Sequence, residues 1–141
     1  MSQINVQFSV ASHIMVALGM HEGDAVRSAV LANSVNADPT FVRRVVSKLA
    51  KAGLVTTARG KGGACALARQ ASAITMLDIY KASAAPATVA MHDYPVEETC
   101  KVSRNIRECM DAVLREAQDG FEQQLARQSL AAVIASLKRH D

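Results

Sequence analysis

Between Pro39 and Ala52 apolar and polar positions follow a helical period. At about 100° per residue, Val42, Val45, Val46 and Leu49 share one side and Thr40, Arg43, Arg44, Ser47 and Lys51 the other. The spacing predicts a helix with one face for a core and a basic face turned outward. Asp38 is placed to cap it, and Pro39 suits the first helical position, where its missing N–H costs nothing. Gly53 suits the left-handed position that follows a helix end. Leu54-Val55-Thr56-Thr57 then favours strand, glycines at Gly60, Gly62 and Gly63 allow a turn, and Cys65-Ala66-Leu67-Ala68-Arg69 returns as the second strand of a hairpin.

The flanking segments carry further helical patterns. From Ile4 to Met20 there are two apolar stripes, Ile4, Phe8, Ala11, Met15 and Leu18 on one face and Val6, Val10, His13 and Ala17 on another. The expectation is a helix packed on both sides, His13 lying on the face turned toward a second subunit and hydrogen-bonded in a packed interface. After the turn signal Gly23-Asp24, Ser28 is a candidate N-cap for a short helix through about Ser34, with Ala29, Val30, Leu31 and Ala32 as its apolar residues. Ser72 is a candidate cap for a helix from about Ile74 to Ser83, with Asp78 and Lys81 in solvent, and 84–99, with Pro86 and Pro95, reads as irregular. From Lys101 onward Val102, Ile106, Cys109, Val113, Ala117 and Phe121 recur at steps of three and four, broadened by Met110 and Leu114. A last helix starts at Ser129. The long helix outlasts a small winged domain, so its stripe is expected to meet a second copy. The predicted fold is mainly α with a small β-hairpin wing: a winged helix-turn-helix domain over 1–83, then a sensor loop and dimerisation helices over 84–141.

Composition sharpens this picture at one place. The 141 residues, half of them apolar, suit packed helices, and the net charge of +3 decides little. Its distribution decides more. From Pro39 to Arg69 there are seven basic residues (Arg43, Arg44, Lys48, Lys51, Arg59, Lys61, Arg69) and no Asp or Glu, whereas most of the acidic residues follow Arg69. That imbalance needs an anionic partner. No apolar run is long enough for a membrane span and no secretory leader is evident, so a cytoplasmic protein is expected. The three cysteines, Cys65, Cys100 and Cys109, are an odd number without a disulfide pattern.

With these motifs in place the chain resembles the Rrf2 family of bacterial transcription regulators. The resemblance is carried by Phe8-Ser9-Val10-Ala11-Ser12-His13, Asp38-Pro39-Thr40-Phe41-Val42-Arg43-Arg44, Leu49-Ala50-Lys51-Ala52-Gly53-Leu54-Val55, Arg59-Gly60-Lys61-Gly62-Gly63 and Cys100-Lys101-Val102-Ser103-Arg104-Asn105-Ile106, in that order and spacing. It implies a homodimer with crossing C-terminal helices that binds double-stranded DNA at a partly palindromic operator, usually as a repressor. Each recognition helix would enter a major groove about one turn of DNA from the other. On that reading Thr40, Arg43, Arg44 and Ser47 are candidates for base edges, an Arg pairing bidentately with guanine. Ser28, Lys48 and Lys51 are candidates for phosphates. In the wing Arg59 is the candidate for a minor groove, with Gly60 and Gly62 turning the backbone and Lys61 adding charge. Where many relatives have a further glycine and an aromatic residue, this chain has Ala64 and Cys65, the latter expected as a small, half-buried strand residue.

The sensor is the point of departure. Relatives with an iron-sulfur cluster hold it with three cysteines near the start of the long helix, and here only Cys100 and Cys109 are present. A cluster is therefore a secondary expectation that would need Cys100, Cys109 and a histidine, His13 or His92, while Ser9 stands where a first-helix carboxylate ligand is expected. No cofactor is the primary expectation. Cys109 falls on the apolar stripe and is expected to be buried. Cys100, at the start of the long helix beside Lys101 and Arg104, is the candidate redox or small-molecule sensor, because helix N–H groups and positive charge favour a thiolate. Two other classes compete with a regulator. An enzyme lacks support, since Gly60-Lys61-Gly62-Gly63 sits in a hairpin rather than at a strand-to-helix junction and no catalytic triad is evident. An adaptor that binds protein instead of DNA would keep its affinity as salt rises, unlike a phosphate binder.

Overall fold

The computed structural model describes residues 5–21, 23–58 and 63–140. In chain order its elements are α1 (Gln7–Met20), α2 (Ser28–Val35), α3 (Pro39–Lys51), β1 (Val55–Thr57), β2 (Cys65–Leu67), a 3-10 turn (Ala71–Ala73), α4 (Met76–Ala82), α5 (Lys101–Ala126) and α6 (Leu130–Lys138). Two compact units are formed, one of Met1–Ala85 with Leu125–Asp141, the other of Pro86–Gln124.

The core of the first unit is built around α1 and α3. Ala11, Ile14, Met15 and Leu18 of α1 meet Leu31 and Ala32 of α2 and Val42, Val45, Val46 and Leu49 of α3, all buried, together with Leu54, Val55, Cys65, Ile74, Ile79 and Leu130. The α3 boundaries follow the local chemistry. Asp38 accepts the Phe41 amide at 3.3 Å, Pro39 opens the helix, and Gly53 takes φ +77°, which only glycine adopts cheaply. Between α2 and α3 Asn36 turns the chain in the left-handed region, at φ 62°, which Asn tolerates better than most residues. β1 and β2 pair antiparallel, Val55 with Leu67, Thr56 with Ala66 and Thr57 with Cys65. On its other side Cys65 exchanges two backbone hydrogen bonds with Val26, at 2.7 and 2.8 Å, so the segment before α2 adds a rung to the wing.

Several local expectations are corrected. Along α1 Val10 is buried, not turned outward, and Ile14, absent from both expected stripes, is at the centre of the core; Ile4 lies outside the described residues. Arg27, not Ser28, occupies the N-cap of α2, and it makes no side-chain cap bond. Val30 is 49% exposed, so Leu31 and Ala32 carry that helix's packing. The cap of α4 is Thr75, not Ser72. Thr75 and Asp78 form a reciprocal capping box, each side chain accepting the other's amide at 3.0 and 2.9 Å. Ile74 is buried in extended backbone just ahead of it. The final helix starts where expected, Ser129 accepting the Ala132 amide at 3.0 Å. It packs on α1, where Ile134 comes down on Gly19, so it belongs with the winged unit and not with the segment it follows.

In the second unit residues 86–99 have no regular structure and return along α5. The Thr88 amide donates to Gln118 Oε1 at 2.9 Å, Arg107 donates to the His92 carbonyl at 3.1 Å, and the Glu97 amide donates to Ser103 Oγ at 2.8 Å. Ile106, Met110, Leu114 and Phe121 are half-buried, whereas Val102, Cys109, Val113 and Ala117 are exposed. The single stripe expected for α5 is thus two lines, and Cys109, expected inside, stands on the outer one.

Candidate nucleic-acid interface and sensor residues

Burying four residues of α3 on one side fixes what the other side presents. Thr40, Arg43, Arg44, Ser47 and Lys51 are exposed and Lys48 is half-buried. Among the described residues the ion pair present is Arg115 with Asp111 on α5, so the α3 cations are not neutralised by a carboxylate. Two of them are held by near neighbours. Arg43 donates to Thr40 Oγ1 at 3.3 Å, and the Arg44 guanidinium lies over the Phe41 ring, 5.8 Å from its centroid. Both contacts span one helical turn, and the second is a cation–π arrangement. Phe41 was not singled out from the sequence, although its i, i+3 spacing from Arg44 was a readable signal.

Ser28 is engaged differently from expectation. Its hydroxyl donates to the Gly63 carbonyl at 2.8 Å, tying the start of α2 to the return of the wing, with Gly63 at φ +46°. A phosphate contact by Ser28 would have to break this bond, because a DNA phosphate only accepts and the hydroxyl has one proton to give. Arg59, Gly60, Lys61 and Gly62, the expected wing tip, lie outside the described residues. Cys65, expected half-buried, is 1% exposed, and burial pushes its thiol pKa up.

At the start of α5 the exposed Cys100 occupies the capping position. Its sulfur accepts the Ser103 amide at 3.4 Å and its carbonyl the Arg104 amide at 3.1 Å. Glu97, just ahead, accepts from the Thr99 amide and hydroxyl at 3.2 and 2.9 Å, and these bonds hold its carboxyl below the usual range. Cys109, also exposed, follows at about 13 Å along the axis for 1.5 Å of rise per residue. His92 sits against Tyr94, ring centroids 5.5 Å apart, and His13 Nε2 lies 2.9 Å from Ser34 Oγ on α2.

A helix-turn-helix followed by a hairpin, with an exposed basic face on the second helix, defines a winged DNA-binding fold, and no helix among the described residues is long and apolar enough to cross a membrane. The chain belongs to the Rrf2 family, whose model, described as "Iron-dependent Transcriptional regulator", matches residues 4–136. It is 33% identical over 135 residues to YwnA of Bacillus subtilis (strain 168), a candidate HTH-type transcriptional regulator, covering 95% of this chain and 98% of that one. Two crystal structures are similar. One, of a candidate DNA-binding protein, shares 31% identity at a TM-score of 0.71, over 91% of this chain and 98% of that chain. The other, of a candidate transcriptional regulator from Lactobacillus plantarum, shares 25% at 0.81, over 97% and 93%. The protein is accordingly a transcriptional regulator with a DNA-binding fold and not an enzyme.

The family description names iron, and the donors can be tested for it. Among the described residues no three His, Cys, Asp or Glu side chains come together to hold a metal ion. The spacing of Cys100 and Cys109 along one helix is too wide for a shared ion. Within one chain the described residues do not fit an iron centre.

Proposed function

We propose that this regulator is a homodimeric repressor whose two α3 helices read a partly palindromic operator, and whose binding is released by oxidation at Cys100. The observation that carries the DNA reading is the outer face of α3, where Arg43, Arg44 and Lys51 are exposed without an acidic partner among the described residues. Arg43 and Arg44 read bases, Lys48 and Lys51 meet phosphates, and Arg59 and Lys61 add contacts from the wing. Dimerisation is supported by the line of exposed apolar residues on α5, with Val102 at 65% and Val113 at 55% exposure. Such a line left in water favours association.

The switch rests on the position of Cys100. With hydrogen peroxide, the thiol sulfur gains one oxygen as the O–O bond breaks, giving sulfenic acid and water. The product carries a bulkier, polar oxygen on the sulfur that caps the Ser103 amide, which alters that contact, so the first turn of α5 changes where dimer pairing begins. The test is fluorescence anisotropy on operator DNA selected by the protein itself. Peroxide is expected to weaken binding by wild type and to leave Cys100→Ser bound; equal release of both would remove Cys100 from the switch without touching the DNA reading.

A further inference from the structure

We propose that Ser28 is a positioning residue for the wing: its hydroxyl adds a second rung between the segment before α2 and the return strand, and so sets how the hairpin leaves the helix-turn-helix. The rung follows from the register. Val26 and Cys65 form an antiparallel bridge and exchange N–H to carbonyl bonds at 2.7 and 2.8 Å. In such a pairing the hydrogen-bonded residues recur two steps further along each chain, so the next pair is Ser28 with Gly63. Ser28 is the first residue of α2, and its backbone has already turned into the helix. Its side chain makes the rung instead, Oγ donating to the Gly63 carbonyl at 2.8 Å across 35 residues of sequence.

The surroundings of this bond favour it on every side. A serine at the head of a helix ordinarily caps it, yet Arg27 is the N-cap of α2, without a side-chain cap bond, and the Ser28 proton goes to the wing. Gly63 takes φ +46°, and a Cβ there would stand 3.2 Å from Ser28 Oγ, so the backbone and the close approach both favour glycine. Ala64, the next residue, is held by the other strand, its carbonyl accepting the Ala58 amide at 2.8 Å. The return strand is thus anchored on one edge to Ala58 and on the other to α2, at the two residues that directly follow the Arg59-Gly60-Lys61-Gly62 sequence. Charge that this sequence brings to DNA starts from those two anchors. That consequence rests on the DNA-binding reading; the anchoring itself does not.

The test takes two readouts on the full chain. Without DNA, amide hydrogen exchange followed by NMR is expected to show Ala58 and Cys65 exchanging roughly fivefold faster in Ser28→Ala, as loss of one hydrogen bond implies, while Val45 and Leu49 of α3 keep their rates. Gly63→Ala is expected to do the same, and Ser28→Thr, which keeps the hydroxyl, to exchange as wild type does. With the duplex that wild type enriches from a random pool, anisotropy is expected to show Ser28→Ala weakening binding roughly fivefold, but adding less than about twofold once Arg59→Ala is present. Unchanged exchange at Ala58 and Cys65, equal acceleration across α3, or failure of Ser28→Thr to restore binding would overturn the proposal. So would the same loss from Ser28→Ala in both backgrounds, which is the pattern of a direct phosphate contact. In each of these outcomes the wing's contact with DNA stands. An Arg59→Ala protein that binds as tightly as wild type would remove that contact from the proposed function, and this proposal with it.

Discussion

Three cysteines in this chain have three different surroundings, and their chemistry should differ accordingly. Cys65 is walled into the wing between Val26 and Thr57, and its thiol is held neutral by burial. Cys100 is exposed at a helix cap. In native protein iodoacetamide should modify Cys100 rapidly and Cys65 only on unfolding, as peptide mass spectrometry of timed reactions would record. Because the folded pKa of Cys65 is raised, the folded state keeps its proton more firmly than the unfolded chain. Its contribution is complete below the ordinary thiol range and is lost as pH rises through that range toward the folded value. Urea unfolding of Cys65→Ala against wild type should show a shallower alkaline decline in the variant. Sequence alone located these thiols but placed Cys65 as half-buried where it is fully enclosed, and it did not show that Cys109 is exposed in the single chain, because a residue's position on a stripe does not say what covers the stripe.

At the level of elements, α3 was legible almost to the residue: a strong apolar period, Asp38-Pro39 at one end and Gly53 at the other all point to the same helix. Asp38→Ala should cost about 1 kcal/mol through the lost cap, and Leu49→Ala about 2–5 kcal/mol through the cavity left in a buried position, both measured by urea unfolding. Lys51→Ala should leave sequence preference intact and reduce the slope of log affinity against log salt by about 0.9 for one lost phosphate contact. Arg43→Ala should instead relax the preference at one base pair. The start of α4 was less legible, because Ser72 and Thr75 are both good caps. Only the burial of Ile74 in extended backbone decides between them. In α1 the second stripe was misread at Val10, since small residues such as Ala11 and Ala17 suit either face of a helix.

At the scale of the whole molecule, the class was readable because basic residues and glycines fall at helix-turn-helix and hairpin positions in one order. The family match to residues 4–136 agrees with it. The placement of α6 was not readable: nothing in Leu130–Lys138 by itself says that it packs back on α1 rather than extending the helix before it. Nor does one chain supply the cover for the outer line of α5. Val113→Asp should shift the protein toward monomer in sedimentation equilibrium and weaken operator binding while the fold is kept, as circular dichroism would register. The most direct measurement of the central claim is selection of bound sequences from a random duplex pool, repeated with Arg43→Ala/Arg44→Ala. The account predicts enrichment of a partly palindromic site whose half-sites lie about one turn of DNA apart, lost in the double variant. A wild-type protein that enriches no sequence, or a double variant that enriches the same one, would contradict it.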